Sequence, residues 1–181
     1  MGTSKQLLDV GGRPMVLGVI DALLAGGVSR VILVVNAEVE ARFRGGLPAQ
    51  VLLARNDDRD SGMIESIRIG LVAAERDDPP PTGYLVCPCD AAGLTASDVR
   101  RCIAAFAESP ERIIVATFAA RRGHPVIFPA SLAEVVRSAE CDGGLNHLVR
   151  NRAGNVGEVA CESLGTVANV NTPADYERLN R

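Results

Sequence analysis

The sequence has no long apolar run and no strong excess of one charge. No stretch approaches the roughly 18 apolar residues that a membrane-spanning helix needs, and the polar start has no signal-peptide hydrophobic region. The 181 residues carry a net charge of -3 with scattered arginines, so the basic patch that is typical of nucleic-acid-binding proteins is absent. These absences predict a cytoplasmic protein with small-molecule ligands, and neither nucleic acid nor membrane as a partner.

The five cysteines form no familiar framework. An odd number at irregular spacing does not match a secreted disulfide scaffold, and no CxxC pair with partner histidines indicates zinc. Cys87 and Cys89 lie two positions apart near the end of an apolar run, which turns both side chains to one face of a strand. A redox pair is one interpretation. Packing in the core is the favoured one.

The apolar pattern alternates between helix and strand. Residues 14–25 show helical spacing, and a continuous β-branched run follows at Val31–Val35. The alternation predicts further strands at 51–53, 84–87, 113–116, 126–128 and 156–161, and helices at 62–75, 96–107, 131–138, 144–151 and from 173 onward. This order is typical of a doubly wound, Rossmann-like α/β fold with a mostly parallel sheet. The length predicts a single domain over residues 1–181.

Ligands of such folds bind at the carboxyl ends of the strands, so polar residues that follow strands are candidates for a site. Asp90 follows the apolar run Tyr84–Cys87, where a carboxylate could coordinate Mg²⁺ beside a phosphate. An aspartate that caps a turn is the alternative. Asn171 and Thr172 end a second apolar run before Pro173, a position that suits either a metal ligand or a helix cap.

Four other polar segments offer candidates, each with a simpler alternative. Lys5 could stabilise phosphate charge, or it is a solvated lysine. Ser61–Met63 opens a predicted helix, whose free N–H groups can receive an anion as at many ordinary helices. His124, in a predicted loop over Arg121–Pro125, is a contact for an anionic acceptor, a proton carrier or an exposed residue. Asp142–Gly144 is a helix start, the favoured interpretation, or an acceptor loop.

Several stretches in this order resemble the MobA-like NTP transferase family. They are Met1–Leu8 followed by Gly12–Met15, Asn56–Gly70, Cys87–Asp90, Arg122–Pro125, Asp142–Gly144 and Asn169–Asp175. The resemblance covers nearly the whole chain and points especially to the molybdenum cofactor cytidylyltransferase branch. It implies the nucleotide-diphospho-sugar transferase-like form of the α/β fold.

The resemblance implies that an acceptor phosphate attacks the α-phosphate of an NTP held with Mg²⁺, and that pyrophosphate leaves. The nucleotide implied is CTP, or GTP, and the acceptor is a small phosphorylated molecule such as the molybdopterin cofactor. A molybdoenzyme or a chaperone is the implied protein partner. By motif, Lys5 and Asp90 are catalytic, and Asp90 and Asn171 hold the metal. The residues assigned to the nucleotide and its acceptor are Lys5, Asn56, Gly62, Met63, Ser66 and His124.

The sequence also departs from the family pattern. The family's first strand and glycine-rich phosphate loop would precede Met1, so we expect a fold that lacks that strand. Ala91–Gly93 stands where a proline usually follows the metal aspartate, and Leu145 or Asn146 stands where an arginine is expected. Asn171 replaces the aspartate that is common in this branch. The alternative function is therefore a catalytically impaired homologue that binds a nucleotide or a partner without transfer.

Overall fold

The computed structural model describes residues 7–43, 45–58, 60–76 and 79–168. The described part opens with an antiparallel hairpin of Asp9–Val10 (β1) and Arg13–Pro14 (β2). Gly11 and Gly12 form its turn with φ angles of 63° and 84°, in the left-handed region that glycine adopts without steric cost.

Helices and strands alternate along the rest of the described chain. They are α1 (Met15–Ala25), β3 (Val31–Val35), α2 (Ala37–Phe43), β4 (Val51–Arg55), α3 (Met63–Ala74), β5 (Gly83–Val86), α4 (Ala96–Glu108), β6 (Ile113–Phe118), β7 (Arg121–Pro129), α5 (Ala133–Arg137), α6 (Leu145–Asn151) and β8 (Val156–Ala160). This order confirms the predicted alternation, to which α2 is an addition. Its 7 residues are too few to show a clear helical period. The helix predicted from residue 173 lies outside the described residues.

The strands form an α/β fold with parallel and antiparallel pairs. Strands β3 and β4 pair in parallel, and a second sheet has the order β5-β7-β6-β8. In that sheet β6 and β8 are parallel, whereas β7 is antiparallel to both of its neighbours. The α/β class is confirmed. The resemblance places one more strand in the sheet, and within the described ranges the long strands form two separate sheets.

Residues Arg121–Pro125 belong to strand β7, so the predicted loop is wrong and the predicted strand at 126–128 is too short. The chain turns back from β6 through Ala119 and Ala120, whose φ angles are 48° and 60°. Phe118 pairs with Arg121 across this turn. Two-residue hairpin turns of this kind require positive φ at both positions and usually contain Asn-Gly. An Ala-Ala pair gives no turn signal, which explains why the sequence hid the hairpin.

The two sheets share an apolar core. One cluster of buried residues combines α1, β3, β4 and the start of α4, and another lies under α3, α5 and α6. Leu85 and Ile103 contact both the first cluster and a third one behind β6 and β7. None of the helices in the described ranges is long and apolar enough to cross a membrane.

Cys87 and Cys89 pack against the first cluster and are half-buried. Burial raises the pKa of the Cys87 thiol to about 12, and the negative charges of Cys89 and Asp90 act in the same direction. A thiol that resists ionisation is a poor nucleophile. Of the two interpretations of this pair, the structure therefore supports packing in the core.

Candidate functional site

A cavity of about 700 Å³ opens where three predicted site segments meet. Gly62 and Met63 line it at the start of α3, Gly123 and His124 at the start of β7, and Asp142–Gly144 on the third side. Apolar side chains from β6, β7 and α6 also line the cavity. The structure thus brings together segments that are far apart in the sequence, in a volume that is typical of small-molecule sites.

His124 reaches the cavity because of the antiparallel register between β5 and β7. Val86 pairs with Val126, so the two residues before Val126 run to the end of β5, where the chain turns towards Asp90. Burial lowers the pKa of the His124 imidazole. A neutral imidazole offers one donor and one acceptor nitrogen, which suits a hydrogen bond to a bound molecule.

Asn56 anchors a polar cluster next to the cavity. Its N–H donates to the carbonyl oxygen of Val35 at 2.8 Å, which fixes it at the ends of β3 and β4. Its Nδ2 donates to Ser61 Oγ at 3.0 Å and to Ser66 Oγ at 3.1 Å. The structure therefore joins Asn56 and Ser66 and adds the Ser61 hydroxyl, whose bond the sequence did not reveal. Gly62, which follows Ser61, lines the cavity, whereas Asn56 and Ser66 do not.

Gly62 is the N-cap of α3, as the sequence predicts. It has extended backbone and makes no side-chain cap bond. The first N–H groups of a helix have no partners within the helix, so this end can receive an anion or a base carbonyl. Because Gly62 and Met63 line the cavity, this end of α3 faces the space in which a ligand would lie.

Asp90 lies in the turn after β5, where the sequence places a metal ligand. The residues that follow it line a smaller cavity of about 200 Å³, together with Arg13 and Met15. Asp90 itself lines neither cavity. Its carboxylate is thus at the carboxyl end of a strand, close in sequence to one cavity and next to the strand that carries His124.

The possible metal ligands among the described residues fit Mg²⁺ better than a metal ion whose ligands all come from the protein. Within the described ranges, no group of three or more His, Cys, Asp or Glu side chains could hold a metal ion. Mg²⁺ needs fewer protein ligands, because it keeps several waters and takes phosphate oxygens from the substrate. Asp90 offers the hard oxygen that Mg²⁺ prefers. Lys5, Asn171 and Thr172 lie outside the described residues.

Residues 164–166 form a short 3-10 turn that packs between the loop after Asp90 and the start of β7. A Cβ atom on Gly165 would lie 2.2 Å from the carbonyl carbon of Gly93, three residues after Asp90. A Cβ on Gly123 would lie 2.0 Å from the carbonyl oxygen of Thr166. These backbone contacts exist only because both positions are glycine, and they fix the Asp90 turn relative to β7.

Asp98 anchors the same segment from α4, and sequence reasoning missed it. Its carboxylate is fully buried and accepts from the Glu162 N–H at 2.8 Å and from Thr95 Oγ1 at 2.7 Å. Burial alone would raise the pKa of this carboxyl, but the proximity of Ser163 and the hydrogen bonds from Glu162 and Thr95 outweigh it and lower the pKa. The spacing of Thr95 and Asp98 is a helix-start signal. Nothing in the sequence predicts the bond to Glu162.

The Asp142–Gly144 segment precedes α6, as a helix start would, but Asp142 does not cap the helix. Gly144 is the N-cap, with φ of 93° and no side-chain cap bond. Asp142 instead accepts a hydrogen bond from Arg68 on α3 at 2.6 Å. Behind the loop, the ring of His147 packs against Gly143, where a Cβ would lie 2.3 Å from Nε2. The segment is thus a helix start, as the favoured interpretation has it, and Gly144 is the capping residue.

Comparison with known proteins identifies relatives of the whole chain. Residues 1–156 match the MobA-like NTP transferase domain. Nicotine blue oxidoreductase of Paenarthrobacter nicotinovorans is 28% identical, over 97% of this chain and 87% of that protein. Rv0371c of Mycobacterium tuberculosis H37Rv has a similar structure, with a TM-score of 0.79, 25% identity and coverage of 99% and 90%.

Two further structures share the fold and contain relevant ligands. A complex of Rv0371c with manganese gives a TM-score of 0.75 at 23% identity, covering 99% of this chain and 92% of the other. CMP:2-keto-3-deoxy-manno-octonic acid synthetase, in complex with CTP, gives a TM-score of 0.72 at 17% identity, with coverage of 97% and 90%. The family match spans most of the sequence and agrees with the motifs and with the fold. The chain therefore belongs to the family of the MobA-like NTP transferase domain.

Proposed function

We propose that this protein is a Mg²⁺-dependent nucleotidyltransferase. It moves a CMP group, or GMP, from an NTP to a small phosphorylated acceptor such as the molybdopterin cofactor. The observation that carries the proposal is the cavity that joins the start of α3, His124 and the Asp142–Gly144 loop. Family membership supports transfer chemistry, and we infer a cytoplasmic enzyme that passes its product to a molybdoenzyme or a chaperone.

The nucleotide would bind at the start of α3. The cluster of Asn56, Ser61 and Ser66 offers hydroxyl and amide groups, and the N–H groups at Gly62 and Met63 suit a base carbonyl or an anion. We infer CTP as the donor, because a synthetase of this fold is known in complex with CTP. Lys5 would contact the phosphates, as the family resemblance implies.

A bound Mg²⁺ would neutralise charge on the triphosphate as the transfer proceeds. Asp90 would hold it through a carboxylate oxygen, with Asn171 as the second ligand. The manganese complex of Rv0371c supports a divalent metal in this fold. The turn that carries Asp90 is fixed by the contact of Gly93 with Gly165, so this ligand is held before the nucleotide arrives.

The acceptor would occupy the cavity of about 700 Å³. Arg122 and Arg150 lie on its wall; Arg122 pairs with Glu158 at 2.7 Å, and the guanidinium of Arg150 forms no ion pair with a described residue. Arg150 is thus able to contact an anionic group, while neutral His124 hydrogen-bonds a polar one. An acceptor phosphate oxygen then attacks the α-phosphorus, the bond to the bridging oxygen breaks, and pyrophosphate leaves.

A second candidate is a homologue that binds a nucleotide or a partner without transfer. The relative named nicotine blue oxidoreductase bears on this candidate, because that name describes a reaction other than nucleotidyl transfer, so a relative of this chain need not be a transferase. The two candidates differ in turnover. Both predict nucleotide binding, and the first alone predicts pyrophosphate release in the presence of an acceptor.

The test is calorimetric binding of CTP, GTP and ATP with Mg²⁺, followed by a pyrophosphate assay with the molybdopterin cofactor. We expect CTP to bind most tightly, and Asp90→Ala to weaken Mg²⁺-dependent binding by about 100-fold, since even residues behind metal ligands cost 10-fold to 100-fold. Glu134→Ala is the control, because its side chain is 84% exposed on α5. Binding without pyrophosphate release would favour the second candidate. Unchanged Mg²⁺-dependent binding by Asp90→Ala would remove Asp90 from the metal site.

A further inference from the structure

Arg68 lies on α3, between the nucleotide side and the acceptor side of the site. It follows Ser66 by two residues, a spacing that rotates side chains by about 200° around a helix. Ser66 faces Asn56 at the end of β4, whereas Arg68 leaves the helix towards α5 and α6. Helix α3 thus has Ser66, which we assign to the nucleotide site, on one side and the Arg68 guanidinium on the other.

The Arg68 guanidinium bonds with four groups. Nη2 donates to Asp142 Oδ1 at 2.6 Å and to the Ser138 carbonyl oxygen at 2.7 Å. Nε donates to the Val136 carbonyl oxygen at 3.3 Å, and Nη1 donates to the Glu65 carboxylate. The side chain is only 18% exposed. One arginine therefore joins α3 to the last turn of α5 and to the loop before α6.

The loop that Arg68 contacts is anchored in the core by the buried Cys141 side chain, and Arg68 supplies its ion pair to α3. Between α5 and α6 it consists of the 3-10 turn Ala139–Cys141 and the Asp142–Gly144 segment, and its backbone bonds are short-range, such as Gly144 N–H to the Cys141 carbonyl at 2.7 Å. Asp142 is 65% exposed and carries a negative charge on the cavity wall. Arg68 holds this wall from behind and balances that charge with a charge-assisted bond.

We propose that Arg68 is a positioning residue for the acceptor. It sets the distance between the Asp142–Gly144 wall and the start of α3, and it neutralises Asp142, so that a phosphorylated acceptor enters without repulsion. This inference rests on the proposed transfer function. Because the contacts of Ser66 are separate, loss of Arg68 affects the acceptor and leaves nucleotide binding unchanged.

Arg137 provides a matched control. It joins α5 to the end of α3 through an ion pair with Glu75, forms a second ion pair with Glu134 in its own helix, and its side chain is 22% exposed. None of these three residues lines the cavity. Arg68→Gln and Arg137→Gln each break one ion pair within a helix and one to a neighbouring part of the structure, so both should lose stability. Arg68→Gln also loses two bonds to carbonyl oxygens. If Arg68 had only a structural role, the two variants would have similar KM values for the acceptor.

In the transfer assay, Arg68→Gln is expected to raise KM for the molybdopterin cofactor by about tenfold, the size expected for a lost charge-assisted hydrogen bond. CTP affinity and kcat should stay within about twofold. Asp142→Asn weakens the same contact but also removes the charge that would repel the acceptor, so it should raise this KM less than Arg68→Gln does. The two changes together should be less than additive because the residues share one contact. Equal KM values for Arg68→Gln and Arg137→Gln would overturn the proposal.

A second measurement works without turnover. Hydrogen exchange at the amides of residues 139–144 should be about tenfold faster in Arg68→Gln than in the wild type, and unchanged in Arg137→Gln. Unchanged exchange in Arg68→Gln would overturn the positioning role even if transfer occurs. Absence of transfer by the wild type would reject the proposed function separately, and the exchange result would still decide whether Arg68 holds the wall.

Discussion

His124 and Asp98 show that the pKa of a buried side chain depends on its hydrogen-bond partners as well as on burial. The pKa of His124 is lowered by burial, so the ring loses its charge more readily than in water. Burial opposes ionisation of Asp98 as well, but the hydrogen bonds that it accepts outweigh burial and lower its pKa. The result is a neutral imidazole beside the cavity and a charged carboxylate beneath the segment that leads to Thr166.

The low pKa of His124 predicts a pH-dependent stability. As pH falls through 6.5, the ordinary pKa of histidine, the unfolded chain binds a proton at this residue before the folded chain does, so the free energy of unfolding decreases. His124→Gln cannot titrate, so its stability should fall less between about pH 7 and pH 5. Urea unfolding across this range measures the difference. His147→Gln is the control for an exposed histidine, and parallel curves for His124→Gln and the wild type would contradict the prediction.

The sequence identifies residues with local motifs and misses residues whose partners are distant. Asn56, Ser66 and His124 stand in motifs of the family, so each could be named before the structure. Arg68 and Asp142 are 74 positions apart, and Asp98 and Glu162 are separated by 64. No local pattern links such pairs, because their contact depends on how α3, α4 and the loops pack. The roles of Arg68 and Asp98 therefore required the structure.

At the scale of secondary-structure elements, apolar periodicity located most strands and helices but did not order them. The run Val31–Val35, rich in β-branched residues, is typical of a buried strand, and its bounds are as predicted. The order β5-β7-β6-β8 depends on the hairpin at Ala119 and Ala120, which places an antiparallel strand between two others. Because of this hairpin, His124 lies in a strand and not in the predicted loop, so its position is fixed.

Backbone contact between elements leads to a prediction for Gly165. Gly165→Ala would place a Cβ 2.2 Å from backbone atoms of Gly93 and Leu94, which cannot rotate away as a side chain could. The 3-10 turn must then move from the loop after Asp90. We expect a loss of stability of about 1–3 kcal/mol, as for other overpacked sites. A weaker Mg²⁺-dependent affinity for CTP should accompany it, because the turn that carries Asp90 shifts.

Gly154→Ala is the matched control for this substitution, since a Cβ at Gly154 would meet nothing within 4 Å. Thermal unfolding and calorimetry on both variants measure the two effects. If Gly165→Ala kept the stability and the CTP affinity of the Gly154→Ala variant, the close contact would have no role in placing Asp90.

At the scale of the whole molecule, apolar packing connects two sheets that share no strand pair within the described ranges. Val99 of α4 lies in the cluster formed with α1 and β3, and a Cβ on Gly26 would lie 2.4 Å from its Cγ1. The candidate site draws on both parts: Asn56 follows the two-stranded sheet, and His124 belongs to the four-stranded one. We therefore infer that the chain behaves as a single domain and that a nucleotide and its acceptor together span both sheets.

A single domain predicts one cooperative unfolding transition, with equal calorimetric and van't Hoff enthalpies. CTP with Mg²⁺ at about 100 times its Kd should stabilise the folded chain by about 2.7 kcal/mol. For a chain of this size, that shift raises Tm by about 5–10 °C. Differential scanning calorimetry with Mg²⁺ alone as the control measures both effects. Two transitions, of which CTP moves only one, would mean that the sheets unfold separately, and that nucleotide bound near Asn56 is not coupled to the sheet that carries His124.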